Sequence, residues 1–126
     1  MNNFKQFATP EHIILWHISN EYFTKFDLNK TAQGIIWFAK DSEDLVKDLH
    51  GASINSRKPV YLYKCIVNPI KVANWDQYEK LSIGELRRDG FDSIDLEEDF
   101  VVLNPKIVKI LKITKINNEK INNENI

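Results

Sequence analysis

The stretch HIILWHIS, His12–Ser19, decides how the chain is read. Its apolar run is short and isoleucine-rich, which favours a buried strand over a helix. The run then turns polar at His17 and Ser19. Either the strand simply runs out into solvent there, or its end presents hydrogen-bonding groups to a ligand.

Working outward, the polar segment NEYFTKFDLNKTAQG carries Tyr22, Phe23 and Phe26, so it packs onto the body of the protein and is not a free linker. IIWFA, Ile35–Ala39, reads as a second buried strand. Asp41 and Ser42 offer N-caps to SEDLVKDLH, whose Leu45, Val46 and Leu49 sit at helical spacing and which Gly51 closes. Pro59 precedes a third strand, VYLYKCIV, and Asn68-Pro69 marks its end. WDQYEKLSIGELRRDG reads as one or two short helices, broken near Gly84 and stopped at Gly90. FDSIDL and DFVVL are two short strands around the acidic bend EED, in the manner of a hairpin. KIVKILKITKI alternates lysine with apolar residues, the pattern of a half-buried strand near a sheet edge. The order is strand-dominated with two or three small helices, an α+β class. We expect one domain over residues 1–116 and a disordered polar tail, NNEKINNENI, over 117–126.

At 126 residues, 43% hydrophobic and 28% charged, the chain can bury one core without disulfide or metal staples. The formal net charge of -1 leaves no overall basic field for non-specific nucleic-acid binding. Cys65 is the single cysteine, set in a strand, and reads as a structural thiol and not a nucleophile. No segment has the length and apolarity of a signal peptide or membrane span, so the expected location is cytoplasmic. The abundance of Lys, Asn and Ile suits an AT-rich bacterial or phage genome. His12 and His50 read as surface residues, and no cysteine or acidic cluster of ligand spacing gives a zinc signature, so no metal is expected.

Taken in order, these pieces resemble the small ADP-ribosyltransferase-like domains of bacteria and phages. The resemblance spans most of Ile13–Ile113. Those domains open with a strand ending His-x-Ser or His-x-Thr, matched by HIS at 17–19. Their Gly-Ile-Tyr-Phe-Thr strand, followed by an acidic residue and a helix, is matched by GIIWFAKDSEDL, with one extra residue after Gly34 and Trp37 at the tyrosine position. A strand ending in Asn-Pro is matched by VYLYKCIVNPI, and a Gly-Tyr-Asp-Gly-Ile/Val unit by GFDSIDL. The closing Glu-Tyr-Val-Val-Phe-Asn-Pro strand is matched by DFVVLNPKIVKI, which places Asp99 where the family has glutamate.

The resemblance implies a compact, mostly antiparallel fold and NAD as the substrate, with ADP-ribose transferred and nicotinamide released. Cleaving that glycosidic bond builds oxocarbenium-like charge on the ribose. A carboxylate beside the sugar stabilises this charge and polarises the incoming nucleophile. Asp99 is the first candidate for that role. Glu97 would share its face on an alternating strand, while Glu98 would point away. His17 would bond a ribose hydroxyl and Ser19 would add a second polar contact. Trp37, with Phe38 beside it, would stack on nicotinamide, worth roughly 0.5–1.5 kcal/mol beyond burial. Lys30, Arg57 and Lys58 are candidates for the pyrophosphate, since the chain has no glycine-rich phosphate loop.

Three functions compete at this point. The first is a mono-ADP-ribosyltransferase (glycosyltransferase class) acting on a macromolecule, a protein more than a nucleic acid, as a toxin or a phage anti-defence effector of the anti-CRISPR kind. The second keeps the fold but not turnover, and blocks a partner by occlusion. The third is a small RNase toxin, which the absence of a basic stripe disfavours.

Overall fold

The computed structural model describes residues 12–31, 34–47 and 54–116. Strands β1 (Ile13–Ser19), β2 (Ile36–Ala39), β3 (Val60–Val67), β4 (Val72–Ala73), β5 (Ser93–Leu96), β6 (Asp99–Val102) and β7 (Val108–Ile116) alternate with short helices α1 (Ser42–Lys47), α2 (Trp75–Lys80) and α3 (Ile83–Arg88). The strands form a sheet of order β4-β5-β6-β2-β1-β3-β7. Every pairing is antiparallel except β4 with β5. The fold is α+β, as the sequence led us to expect.

The sheet has a weak seam. β1 pairs with β3 along its whole length, from Ile13↔Val67 to Ser19↔Tyr61. β2 likewise pairs with β6 from Ile36↔Val102 to Ala39↔Asp99. Between β1 and β2 the register holds at Trp16↔Ala39 alone. Two well-knit half-sheets therefore meet at a splayed joint.

Side-chain alternation builds a core on each face. Phe100 and Val102 of β6 join Leu15, Phe38, Tyr63 and Cys65 in one cluster. Val101 joins Ile94, Leu86 and Ala73 in another, under α2 and α3. β6 is thus buried on both sides, which explains its unbroken apolar run, and each such side chain contributes roughly 1.5–3 kcal/mol. Cys65 is fully buried. Burial pushes its thiol up to about 12, consistent with a structural role.

Three local details depart from the sequence expectations. The helical stretch breaks at Leu81–Ser82, not at Gly84, which lies inside α3. Capping decides this: Asn74 with Gln77 and Ser82 with Glu85 form reciprocal capping boxes, so two helices start where one would have run on. β7 slips register between Lys64↔Lys112 and Cys65↔Ile110, leaving Leu111 bulged. The bulge rephases the strand so that Ile110 and Ile113, three apart, both pack on the core. The two-residue strand β4 carries no periodic signal. It is held instead by the buried Asp92 carboxylate, which accepts the Ile70 amide at 2.9 Å and the Ser93 hydroxyl at 2.8 Å. The proposed Gly51 helix stop and the 117–126 tail lie outside the described residues.

Candidate functional site

At the seam the two half-sheets enclose an open cleft of about 1810 Å³. Small-molecule pockets usually measure ~300–1,000 Å³, so an extended ligand has room here. His17, Ser19, Trp37, Phe38 and Asp99 all line it. The register shows how they meet. His17 projects to the same sheet face as Phe38, whereas Trp37 and Asp99 lie on the face shared by Ala39 and Trp16. Because the seam is open, the cleft takes walls from both faces.

His17 is the hinge of this arrangement. Its Nδ1–H donates to the Trp37 carbonyl at 2.8 Å, bridging the seam beside the lone ladder pair. The ring lies within 5.2–6.2 Å of Phe26, Phe38, Tyr63 and Phe23. Burial among these rings holds the imidazole below its ordinary value of 6.5, against the raising effect of the carbonyl bond. The ring is therefore neutral at pH 7. With Nδ1 carrying the proton, Nε2 presents a lone pair, and no described residue bonds it.

The segment after β1 forms the aromatic wall. Tyr63, opposite His17 on β3, donates its hydroxyl to the Glu21 carbonyl at 2.6 Å and accepts the Phe23 amide at 3.0 Å. Its ring stacks on Phe23 at 4.4 Å and 11°. Asn20 clamps the neighbouring turn, donating to the Asn55 and Pro59 carbonyls and accepting the Asn55 amide. Ser19 Oγ accepts the Glu21 amide at 3.0 Å, which leaves its own hydroxyl proton for a ligand. Tyr22 is 61% exposed over the cleft, edge-on to Tyr61.

Trp37 is 44% exposed and offers an open indole, whereas Phe38 is buried and serves as packing behind His17. Phe38 thus lines the cleft as part of its floor and not as a free stacking surface. β2 is fixed at its start by Arg87, whose guanidinium donates to the Gly34 and Leu103 carbonyls. Gly34 has φ 68, a left-handed geometry that suits glycine.

The acidic bend differs from the alternating-strand expectation. Leu96 pairs with Asp99, so Glu97 and Glu98 are the two turn residues of a β5–β6 hairpin. Glu97 has φ 74, and its amide donates to Asp95 Oδ1. Strand alternation does not cross a turn: Glu98, not Glu97, joins Asp99 at the cleft. Asp95 anchors the hairpin through a 2.7 Å ion pair to Lys40 at the end of β2. Partial burial pushes the Asp95 carboxyl up, but Lys40 and the Glu97 amide outweigh it and hold it below its ordinary value.

Of the three basic candidates, Lys30 lines the cleft and Arg57 and Lys58 do not; Lys25 lines it as well. Tyr63 and Lys25 were not singled out from sequence, since nothing in their local pattern distinguishes them. No group of His, Cys, Asp or Glu among the described residues could hold a metal ion. No helix among them is long and apolar enough to cross a membrane.

No protein-family model matches the chain, and no curated protein matches its sequence. Among solved structures, a chain of the M. tuberculosis MbcT–MbcA toxin–antitoxin complex aligns with a TM-score of 0.58. The alignment covers 90% of this chain and 89% of that one, at 7% identity. At that identity the likeness is one of fold.

Proposed function

We propose that the protein is an NAD-consuming mono-ADP-ribosyltransferase that modifies a macromolecular target, in the manner of a toxin or anti-defence effector. What supports this reading is that His17 lines the cleft from one sheet face while Trp37 and Asp99 line it from the other. In the proposed complex, the Trp37 indole stacks on nicotinamide and His17 Nε2 accepts a ribose hydroxyl proton. Ser19 donates a second bond, and Lys25 and Lys30 face the pyrophosphate.

As the C1′–N bond breaks, its electron pair leaves with nicotinamide, and positive charge gathers on the ribose. The Asp99 carboxylate stabilises that charge, with Glu98 beside it. The acceptor's lone pair then forms the new bond to C1′, and its proton passes to Asp99 or to water. The aspartate is one methylene shorter than glutamate, so the sugar sits closer to the β6 backbone. A protein partner belongs to the proposal too, because the structural neighbour comes from a toxin–antitoxin complex.

The test is incubation with NAD labelled in the adenylate and in nicotinamide, with and without cell lysate. Released nicotinamide and labelled macromolecule are expected, and both should fall at least about 100-fold in Asp99→Ala without loss of the cooperative melt. The position of Asp99, where the resembled family has glutamate, favours a second reading, a non-catalytic binder that occludes its partner. NAD binding by calorimetry with no nicotinamide released would select it.

A further inference from the structure

The β1-β3-β7 half-sheet has one face buried beneath the 20–31 segment and another on which Ile14, Lys109 and Lys112 are exposed and Trp16, Lys64 and Ile66 are half-buried. Helices α2 and α3 cover the other half-sheet, and α1 reaches only the Ile18–Val60 end through Leu45. On the open face the register makes two transverse rows: Ile14–Ile66–Lys109 and Trp16–Lys64–Lys112. Each row is apolar at β1 and basic at the β7 edge. Ile14 is 40% exposed, and the bulged Leu111 beside the rows is 47% exposed.

The charges here are not internally balanced. Lys64 and Lys112 stand directly opposite each other on neighbouring strands, a like-charge pairing that destabilises a sheet. Lys64 Nζ lies 5.7 Å from the Trp16 ring, which compensates it in part. No described carboxylate forms an ion pair with Lys64, Lys109 or Lys112. An apolar strip flanked on one side by lysines complements a helix with an apolar stripe flanked by acids, laid along the strands.

Other occupants fit less well. A second copy would bring the same lysines against these. A nucleic acid would use the lysines but would find Ile14 and Ile66 where stacking surfaces are needed, with one indole alone to stack on.

We propose that this face docks an acidic amphipathic helix of a partner protein, a binding function that uses none of the residues assigned above to NAD, although Trp16 pairs with Ala39 at the rim of that cleft. The probe is a synthetic 15-residue helix with leucines along one stripe and glutamates along one flank, titrated into the isotope-labelled full-length chain at 50 mM NaCl. Saturable shifts are expected at the amides of Ile14, Trp16 and Ile66 and at the Trp16 indole, with a Kd of about 100 µM or tighter. Affinity should weaken about tenfold or more at 300 mM NaCl. It should be lost in the Lys64→Glu/Lys112→Glu double variant, whose thermal melt stays that of the parent.

Several outcomes overturn the proposal. These are no saturable shift, shifts confined to the residues around His17 and Asp99, or equal binding by a scrambled peptide of the same composition. Tighter binding of a uridine oligonucleotide would reassign the face to nucleic acid. Concentration-dependent line broadening of the free chain on this face would assign it to a second copy, and contacts from residues 1–11 or 117–126 would assign it to the chain itself.

Discussion

Replacing Tyr63 by phenylalanine removes one oxygen from the interior and is expected to loosen the aromatic wall of the cleft. That oxygen makes two hydrogen bonds, donating to Glu21 at 2.6 Å and accepting from Phe23 at 3.0 Å. Both partners are backbone groups of the segment after β1. A net hydrogen bond contributes about 1 kcal/mol, so losing two costs about 2 kcal/mol. Ring stacking on Phe23 survives in Tyr63→Phe, which isolates the hydroxyl. The cost falls on local opening of the segment, since the β3 pairings that hold Tyr63 in place are backbone bonds. At 1.4 kcal/mol per decade, opening becomes about 30-fold more frequent. Amide hydrogen exchange measures this directly: the Phe23 amide should exchange about 30-fold faster, with β1 and β3 amides much less affected. A Phe23 rate within about threefold of the parent would refute the strut. A uniform acceleration across the sheet would show that the hydroxyl stabilises the whole fold and not the wall.

Glu97→Gly should raise the melting midpoint and leave the proposed NAD turnover unchanged, because glycine adopts φ 74 at lower cost and the side chain is not among those lining the cleft; a loss of turnover relative to the parent would make Glu97 part of the chemistry. The gain expected by urea titration is about 0.5–1 kcal/mol. Acidification should weaken the fold through His17. Its folded value lies below 6.5, so as pH falls through 6.5 the unfolded chain gains a proton that the folded chain does not. Stability is then full above 6.5, declines toward the folded value and is flat below it. His17→Phe should remove that slope from urea melts taken across pH 7.5 to 5, and an unchanged slope would assign it to other groups. Cys65 should resist iodoacetamide in the folded chain and react on unfolding, since its buried thiol is pushed up to about 12; rapid native-state labelling, followed by mass spectrometry, would contradict its burial.

The strands were legible because their signals are local. HIILWHIS, IIWFA, VYLYKCIV and DFVVL each carry apolar runs of strand length, and each became a strand within a residue or two of its predicted bounds. The helix break at Ser82 is legible in Ser-x-x-Glu, a capping signal, but Gly84 two residues on carries the more familiar helix-breaking signal. β4 was not legible: two residues have no period, and the Asp92 carboxylate that holds the approach to it lies about twenty positions away. The facing expected for Glu97 departs for a related reason. Period-2 reasoning assumes a continuous strand, and the turn itself occupies the residues whose facing was inferred.

The packing around β1 and β2 accounts for the short ladder between them. Full pairing of Ser19 and Ile18 with β2 would bury more backbone, yet the ladder stops at Trp16↔Ala39. Beyond that point His17 replaces a ladder bond with its own, to the Trp37 carbonyl. A side-chain bridge is longer than a backbone pairing and holds the strands apart. The surrounding Phe23, Phe26, Phe38 and Tyr63 rings are too bulky to let the gap close. The opening is therefore built into the core packing. His17 Nδ1 bridges the seam, and Nε2 is left free among the described residues for the proposed ribose contact. His17→Ala should lose the bridge to Trp37 and with it the proposed NAD binding, and calorimetry showing NAD bound as tightly as by the parent would refute this.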